Sequence, residues 1–138
     1  MIALTTTLRQ QIGKEGEAAY PNECCGILLG RIDGSTRRVE ELLPIENARE
    51  EAEQYHRFVI TPKDFMRGES IASAKGLEIT GFYHSHPNAK AEPSQYDQDH
   101  ALPFYSYVIV AVKNAKAGDL RSWELAEDRS KFFEEEVI

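Results

Sequence analysis

The sequence predicts a single α/β domain, an α-β sandwich with a mixed β-sheet flanked by helices. Three observations predict it. The chain's 138 residues suit one hydrophobic core. Its apolar runs are of strand length and are bounded by turn residues. Between them lie two or three segments with helix-start signals, and strands interleaved with helices give a layered α/β architecture. No repeat, low-complexity tract or linker divides residues 1–138, which read as one domain.

Leu4, Leu8 and Ile12, with Ala19 further on, fall near one helical face, and the run Thr5-Thr6-Thr7 supplies the cap. Gly13 and Gly16 weaken this helix, and Pro21 ends it. Cys25 to Ile32 is a compact apolar run, read as a buried strand. Asp33-Gly34 signals a hairpin, and Arg37 to Leu43 is the return strand. His56 to Ile60 reads as a short strand. Thr61-Pro62-Lys63-Asp64 then starts a helix, with a threonine cap, proline at the first position and an acid in the first turn. That helix runs to about Lys75, where Gly76 stops it. Leu77 to Tyr83 is a strand, a short helix begins at Ser94, and Ser106 to Val112 is the strongest strand in the chain. Arg121 to Leu125 pairs beside it, and Lys131 to Ile138 fits strand or helix alike.

Composition excludes several functions. Sixteen basic against twenty-three acidic residues give a formal charge of −7, a field that repels phosphate backbones, so no nucleic-acid partner is expected. No apolar run approaches the roughly 18 residues that cross a bilayer, so no membrane association is expected. The first residues lack the basic and apolar regions of a signal peptide, and the expectation is a cytoplasmic protein. Cys24 and Cys25 are adjacent, which suits two small residues on a buried strand better than a disulfide or a zinc site of Cys-x-x-Cys type.

His84 and His86 stand one residue apart at a strand end, so both imidazoles leave on the same face. Alone, such a pair is more often a polar strand end than a ligand pair. The segment Pro93-Ser94-Gln95-Tyr96-Asp97 adds a capping-box-like helix start, whose bland reading is a cap and nothing more. The residues Pro87 to Pro93 nevertheless allow the chain to loop back and bring Asp97 to the two histidines. Two histidines and a carboxylate leave a fourth tetrahedral position open, as in a catalytic zinc site. Glu23, at the start of a core strand, must be solvated, paired or functional. His100 lies three residues past Asp97 and suits a supporting or surface role better than a fourth ligand; Asp99 rivals Asp97 less well on spacing. His56, Tyr83, Tyr96, Tyr105 and Trp123 read as packing residues, and Ser85 points away from the histidines if the strand is regular.

Together, Glu23 and the run His84-Ser85-His86, seven residues, Ser94, two residues, Asp97 resemble the JAMM (MPN-plus) metalloprotease pattern. Prolines 87 and 93, the stretch Pro21 to Gly30, and the stretch Gly81 to Pro87 fit that family too, so the resemblance extends over nearly the whole chain. It implies a cytidine-deaminase-like JAMM/MPN fold of the stand-alone prokaryotic type. It implies one Zn2+ per chain, bound by His84, His86 and Asp97, with Glu23 as general base and the Ser94 hydroxyl steadying the oxyanion. Ser94 then has two roles, cap and oxyanion donor. The implied substrate is a ubiquitin-like protein, cut at peptide or isopeptide bonds after its C-terminal Gly-Gly. The short chain points to a sulfur-carrier protein of ubiquitin fold, bound as an extended tail beside a sheet edge. Family members often pair, so a homodimer is also implied. The alternative is an inactive MPN-type interaction scaffold, whose members usually lack a ligand. A zinc deaminase would need His-x-Glu and Pro-Cys-x-x-Cys, and a thermolysin-type site His-Glu-x-x-His; none of these motifs occurs.

Overall fold

A computed structural model describes residues 1–46 and 60–138 of the chain. In chain order the elements are β1 (Ile2–Ala3), α1 (Thr6–Ala19), β2 (Cys25–Asp33), β3 (Thr36–Ile45) and α2 (Pro62–Ala74). They continue with β4 (Glu78–Pro87), α3 (Gln95–His100), β5 (Ser106–Lys113), β6 (Lys116–Leu125) and β7 (Phe132–Glu135). The sheet order is β1-β3-β2-β4-β5-β6-β7. β4 runs parallel to β5, β1 runs parallel to β3, and the other neighbours are antiparallel, so the sheet is mixed as expected. Among the described residues no helix is long and apolar enough to cross a membrane. The expected strand from His56 lies outside the described residues but for Ile60, which belongs to no element.

Helix starts follow their sequence signals. Thr5 caps α1 by accepting a hydrogen bond from the Leu8 N–H at 3.2 Å. Thr61 and Asp64 form a full capping box at the start of α2, with Pro62 in the first turn. Lys75 closes that helix, and Gly76 takes the left-handed conformation at φ +68°.

Gly13 and Gly16 have a role that helix propensity hides. A Cβ on Gly16 would stand 2.9 Å from Val112 Cγ2 and 3.2 Å from Ser85 Cβ; one on Gly13 would stand 3.2 Å from Ala117 Cβ. These glycines let α1 lie directly on β4, β5 and β6.

Two apolar layers cover the sheet. On the α1 face, Ile12, Leu28, Val39, Tyr83, Val108, Val110 and Val112 pack with Ile2 and Leu4. On the other face, Ile27, Leu29, Ile79, Phe82, Tyr107 and Leu125 pack with Ala72 and Phe65 of α2. The tail 131–138 resolves to strand in β7, and beyond it the chain does more. Ile2 N–H donates to Glu136 C=O at 3.0 Å, Leu4 N–H to Ile138 C=O at 2.9 Å, and Ile138 N–H to Ile2 C=O at 2.8 Å. The last residues thus tie β1, at one end of the sheet, to the segment that follows β7 at the other.

Candidate metal centre

β4 continues past Tyr83 to Pro87, so the histidine pair lies within a strand and not after one. β5 supports this extension in parallel register, from Gly81 opposite Ser106 to Pro87 opposite Val112. Strand alternation then sends Phe82, His84 and His86 to the α2 face, and Tyr83 and Ser85 to the α1 face. Ser85 does point away: its Oγ accepts from the Cys24 N–H at 2.9 Å. Both histidines are buried, His84 almost completely.

Residues 88–93 bring the chain back over the strand end. Asn88 adopts φ 54° and is held on three sides. Its N–H donates to Val112 C=O at 2.7 Å, its amide nitrogen to the Tyr20 hydroxyl at 2.8 Å, and its amide oxygen accepts from Asn114 N–H at 3.0 Å. Ser94 then caps α3: its Oγ accepts from Asp97 N–H at 3.1 Å, and its own N–H donates to Asp97 Oδ2 at 2.9 Å. The cap uses the hydroxyl oxygen as well as the backbone, the full capping box that the sequence suggested. It also orients the acid, because the same Oδ2 that closes the box faces the histidines.

The three side chains converge on one point. His84 Nε2 and His86 Nε2 are 3.0 Å apart, and Asp97 Oδ2 stands 3.3 Å from the first and 3.1 Å from the second. Three ligands at about 2.0–2.1 Å from one tetrahedral ion stand about 3.3–3.4 Å from one another, so this triangle is close to the size a zinc ion requires. The His86 tautomer suits it as well. Its Nδ1–H donates to Lys90 C=O at 2.9 Å, which leaves the Nε2 lone pair facing inward.

Electrostatics match the same reading. Burial pulls the His84 pKa below the ordinary histidine value, more than Asp97 pulls it up, so its ring is held neutral. Burial also lowers that of His86, but the hydrogen bond and charge of Asp97, the Lys90 carbonyl and Glu23 outweigh it, and the net direction is up. Burial pushes the Asp97 carboxyl up, yet His84, His86 and the Ser94 N–H hold it far below the usual carboxylate range.

Glu23 is buried, and a carboxylate oxygen of Glu23 and nitrogens of His84 and His86 lie within 4.8 Å of one another. The register explains this. Cys25 pairs with His84 across β2 and β4, and Ser85 N–H donates to Cys24 C=O, so two residues upstream Glu23 comes opposite His86 on the same face. Cys24 and Cys25 are free thiols, and burial pushes Cys24 up to about 11 and Cys25 higher still, so both are protonated at neutral pH. His100 stacks on Tyr96 with ring centroids 4.1 Å apart, and its Nδ1–H donates to the Tyr96 C=O at 2.9 Å. Asp99 is exposed and accepts from Gln95 Nε2 at 2.8 Å.

An apolar cavity of about 430 Å³ opens beside the centre. Phe65, Phe82, Tyr96 and Tyr107 line it, and it reaches His84 and Asp97. One contributor had no signal in sequence, the Lys90 carbonyl, because a backbone carbonyl has no residue preference.

Comparisons with known proteins agree with this architecture. Residues 5–126 match the family described as prokaryotic homologs of the JAB domain. A desampylase of Haloferax volcanii is 34% identical over 98 residues, spanning 70% of this chain and 68% of that protein. A solution structure of a Desulfitobacterium hafniense protein superposes with a TM-score of 0.86 at 31% identity, covering 100% of this chain and 92% of its own. A JAB1/MPN domain protein from Archaeoglobus fulgidus shares the fold, with a TM-score of 0.57 at 20% identity over 99% of this chain and 94% of its own.

Proposed function

Because the chain belongs to the family of prokaryotic homologs of the JAB domain and is a hydrolase of the JAMM type, we propose how it works and on what. It cleaves peptide or isopeptide bonds after the C-terminal Gly-Gly of a ubiquitin-like protein, with one zinc ion held by His84, His86 and Asp97. The observation that carries this reading is the triangle of Nε2, Nε2 and Oδ2, with edges of 3.0 to 3.3 Å, beside the buried Glu23. The full set of ligand types gives no support to an inactive scaffold.

Zinc in that position would supply Lewis acidity and lower the pKa of a water from 15.7 to about 7. Glu23 then has two tasks. Its carboxylate accepts the proton of the attacking water and returns it to the leaving amine nitrogen, so no strong external base is needed. Ser94 caps α3 through an acceptor lone pair, which leaves its O–H able to donate to the oxyanion of the tetrahedral intermediate. The ladder between β2 and β4 ends one bond past His84, while β4 continues to Pro87. An extended tail without side chains, such as Gly-Gly, suits that narrow strand end.

The desampylase relative supports a ubiquitin-like protein as the substrate class. Within it we favour a sulfur-carrier protein. The test is Glu23→Gln, assayed by mass spectrometry on a sulfur-carrier protein extended beyond Gly-Gly. The variant should keep one zinc per chain and lose cleavage by at least about a hundredfold, the usual scale of a general base. A fully active variant would remove Glu23 from the mechanism.

A further inference from the structure

Two of the three proposed ligands do not rest on the sheet alone. Asp97 sits on a helix of six residues, too short to persist by itself. His86 depends for its tautomer on a carbonyl from the loop that follows it. Both are held from one place in the fold.

Arg129 lies in the turn after β6 and adopts φ 64°, a conformation that residues other than glycine rarely take. Its guanidinium donates to the carbonyls at the end of α3: Ala101 at 2.6 Å, Asp99 at 3.2 Å and Gln98 at 3.3 Å. Gln98 answers with its amide nitrogen to the carbonyls of Arg129 and Ser130, at 3.0 and 2.9 Å. A cation on the last carbonyls of a helix is favourable on both hydrogen-bond and dipole grounds. The box at Ser94 fixes the other end, so α3 is clamped at both ends with Asp97 between them.

Trp123, within β6, donates its indole N–H to Ala91 C=O at 3.0 Å. Ala91 is buried, and its neighbour Lys90 supplies the carbonyl that binds His86 Nδ1–H. Arg121 lies over the Trp123 ring at 4.7 Å and reaches Glu92 Oε1 at 3.2 Å. The loop is thus fastened to β6 at the Ala91 carbonyl and at the Glu92 side chain.

We propose that β6 and the turn after it form the positioning device of the metal centre. Arg129 acts on Asp97 through α3, and Trp123 acts on His86 through the Ala91–Lys90 backbone. Neither residue supplies a ligand atom. The inference rests on the zinc reading above.

The test measures zinc affinity, by competition with a chromophoric chelator, for the whole chain and its Arg129→Gln and Trp123→Phe variants. Trp123 is the only tryptophan, so its fluorescence follows the same binding step in the wild type and in Arg129→Gln. Each variant should bind zinc about 10–100-fold more weakly, the range for groups that orient metal ligands, while its apoprotein melts as the wild type does. Wild-type binding with variants within twofold of it would overturn the proposal and leave the zinc reading standing. An apoprotein that has lost its cooperative melt would also overturn it, since the residue would then support the fold at large. A wild-type chain that takes up no zinc would sink the zinc reading and this inference together.

Discussion

With zinc bound as proposed, a proton and the ion would compete for one lone pair at His86. The neighbouring carboxylates raise its pKa, whereas burial keeps His84 neutral, so His86 is the ligand that a falling pH protonates first. The sign follows: zinc affinity should be flat where His86 is neutral and fall by about tenfold per pH unit once it is protonated. Chelator competition from pH 8 to pH 5 would measure this, and affinity independent of pH across that range would contradict it. Asp97 adds nothing in this window, because its carboxyl is held well below it. Much of this residue-scale chemistry was legible in sequence. The spacings of His84, His86, Ser94 and Asp97 state which side chains can share a point, since a strand repeats every two residues and a cap fixes the first turn. The Lys90 carbonyl that selects the His86 tautomer was not legible, because every residue carries the same backbone group.

At the scale of elements, capping signals translate directly into structure, and Thr61 and Ser94 both head the helices they announce. Glycine in α1 is read wrongly by propensity alone. An alanine at Gly16 would gain about 0.5–1 kcal/mol of helix propensity, but its Cβ would meet Val112 and Ser85 at 2.9 and 3.2 Å. Overpacking of that kind costs about 1–3 kcal/mol, so the clash outweighs the propensity. Gly16→Ala should therefore lower stability in denaturant unfolding; a variant more stable than wild type would mean that α1 can lift off the sheet freely. The extension of β4 through His86 was also hidden, because a strand propensity that ends at Tyr83 takes no account of the parallel support from β5. Tertiary pairing decides that boundary, and with it the placement of the metal face.

For the whole molecule, the closure of the sheet by residues 136–138 and the anchoring of α3 to the turn after β6 are both contacts between distant parts of the chain. Periodicity carries no information about such contacts, so the sequence announces the layers but not how their ends are tied. The mixed sheet with helices on its faces follows from the order of apolar runs, and the two strand faces follow from their alternation. The burial of Glu23 beside the histidines follows only once β2 and β4 are in register. A metal site assembled from β2, β4 and α3 would exist only in the folded chain, so an ion bound there should stabilise the fold by mass action. We propose that this assembled site holds one ion through His84, His86 and Asp97. Elemental analysis of zinc per chain, in the wild type and in His86→Ala, tests it most directly. One zinc per wild-type chain and almost none in the variant is the expected outcome; equal zinc in both would rule this ligand set out.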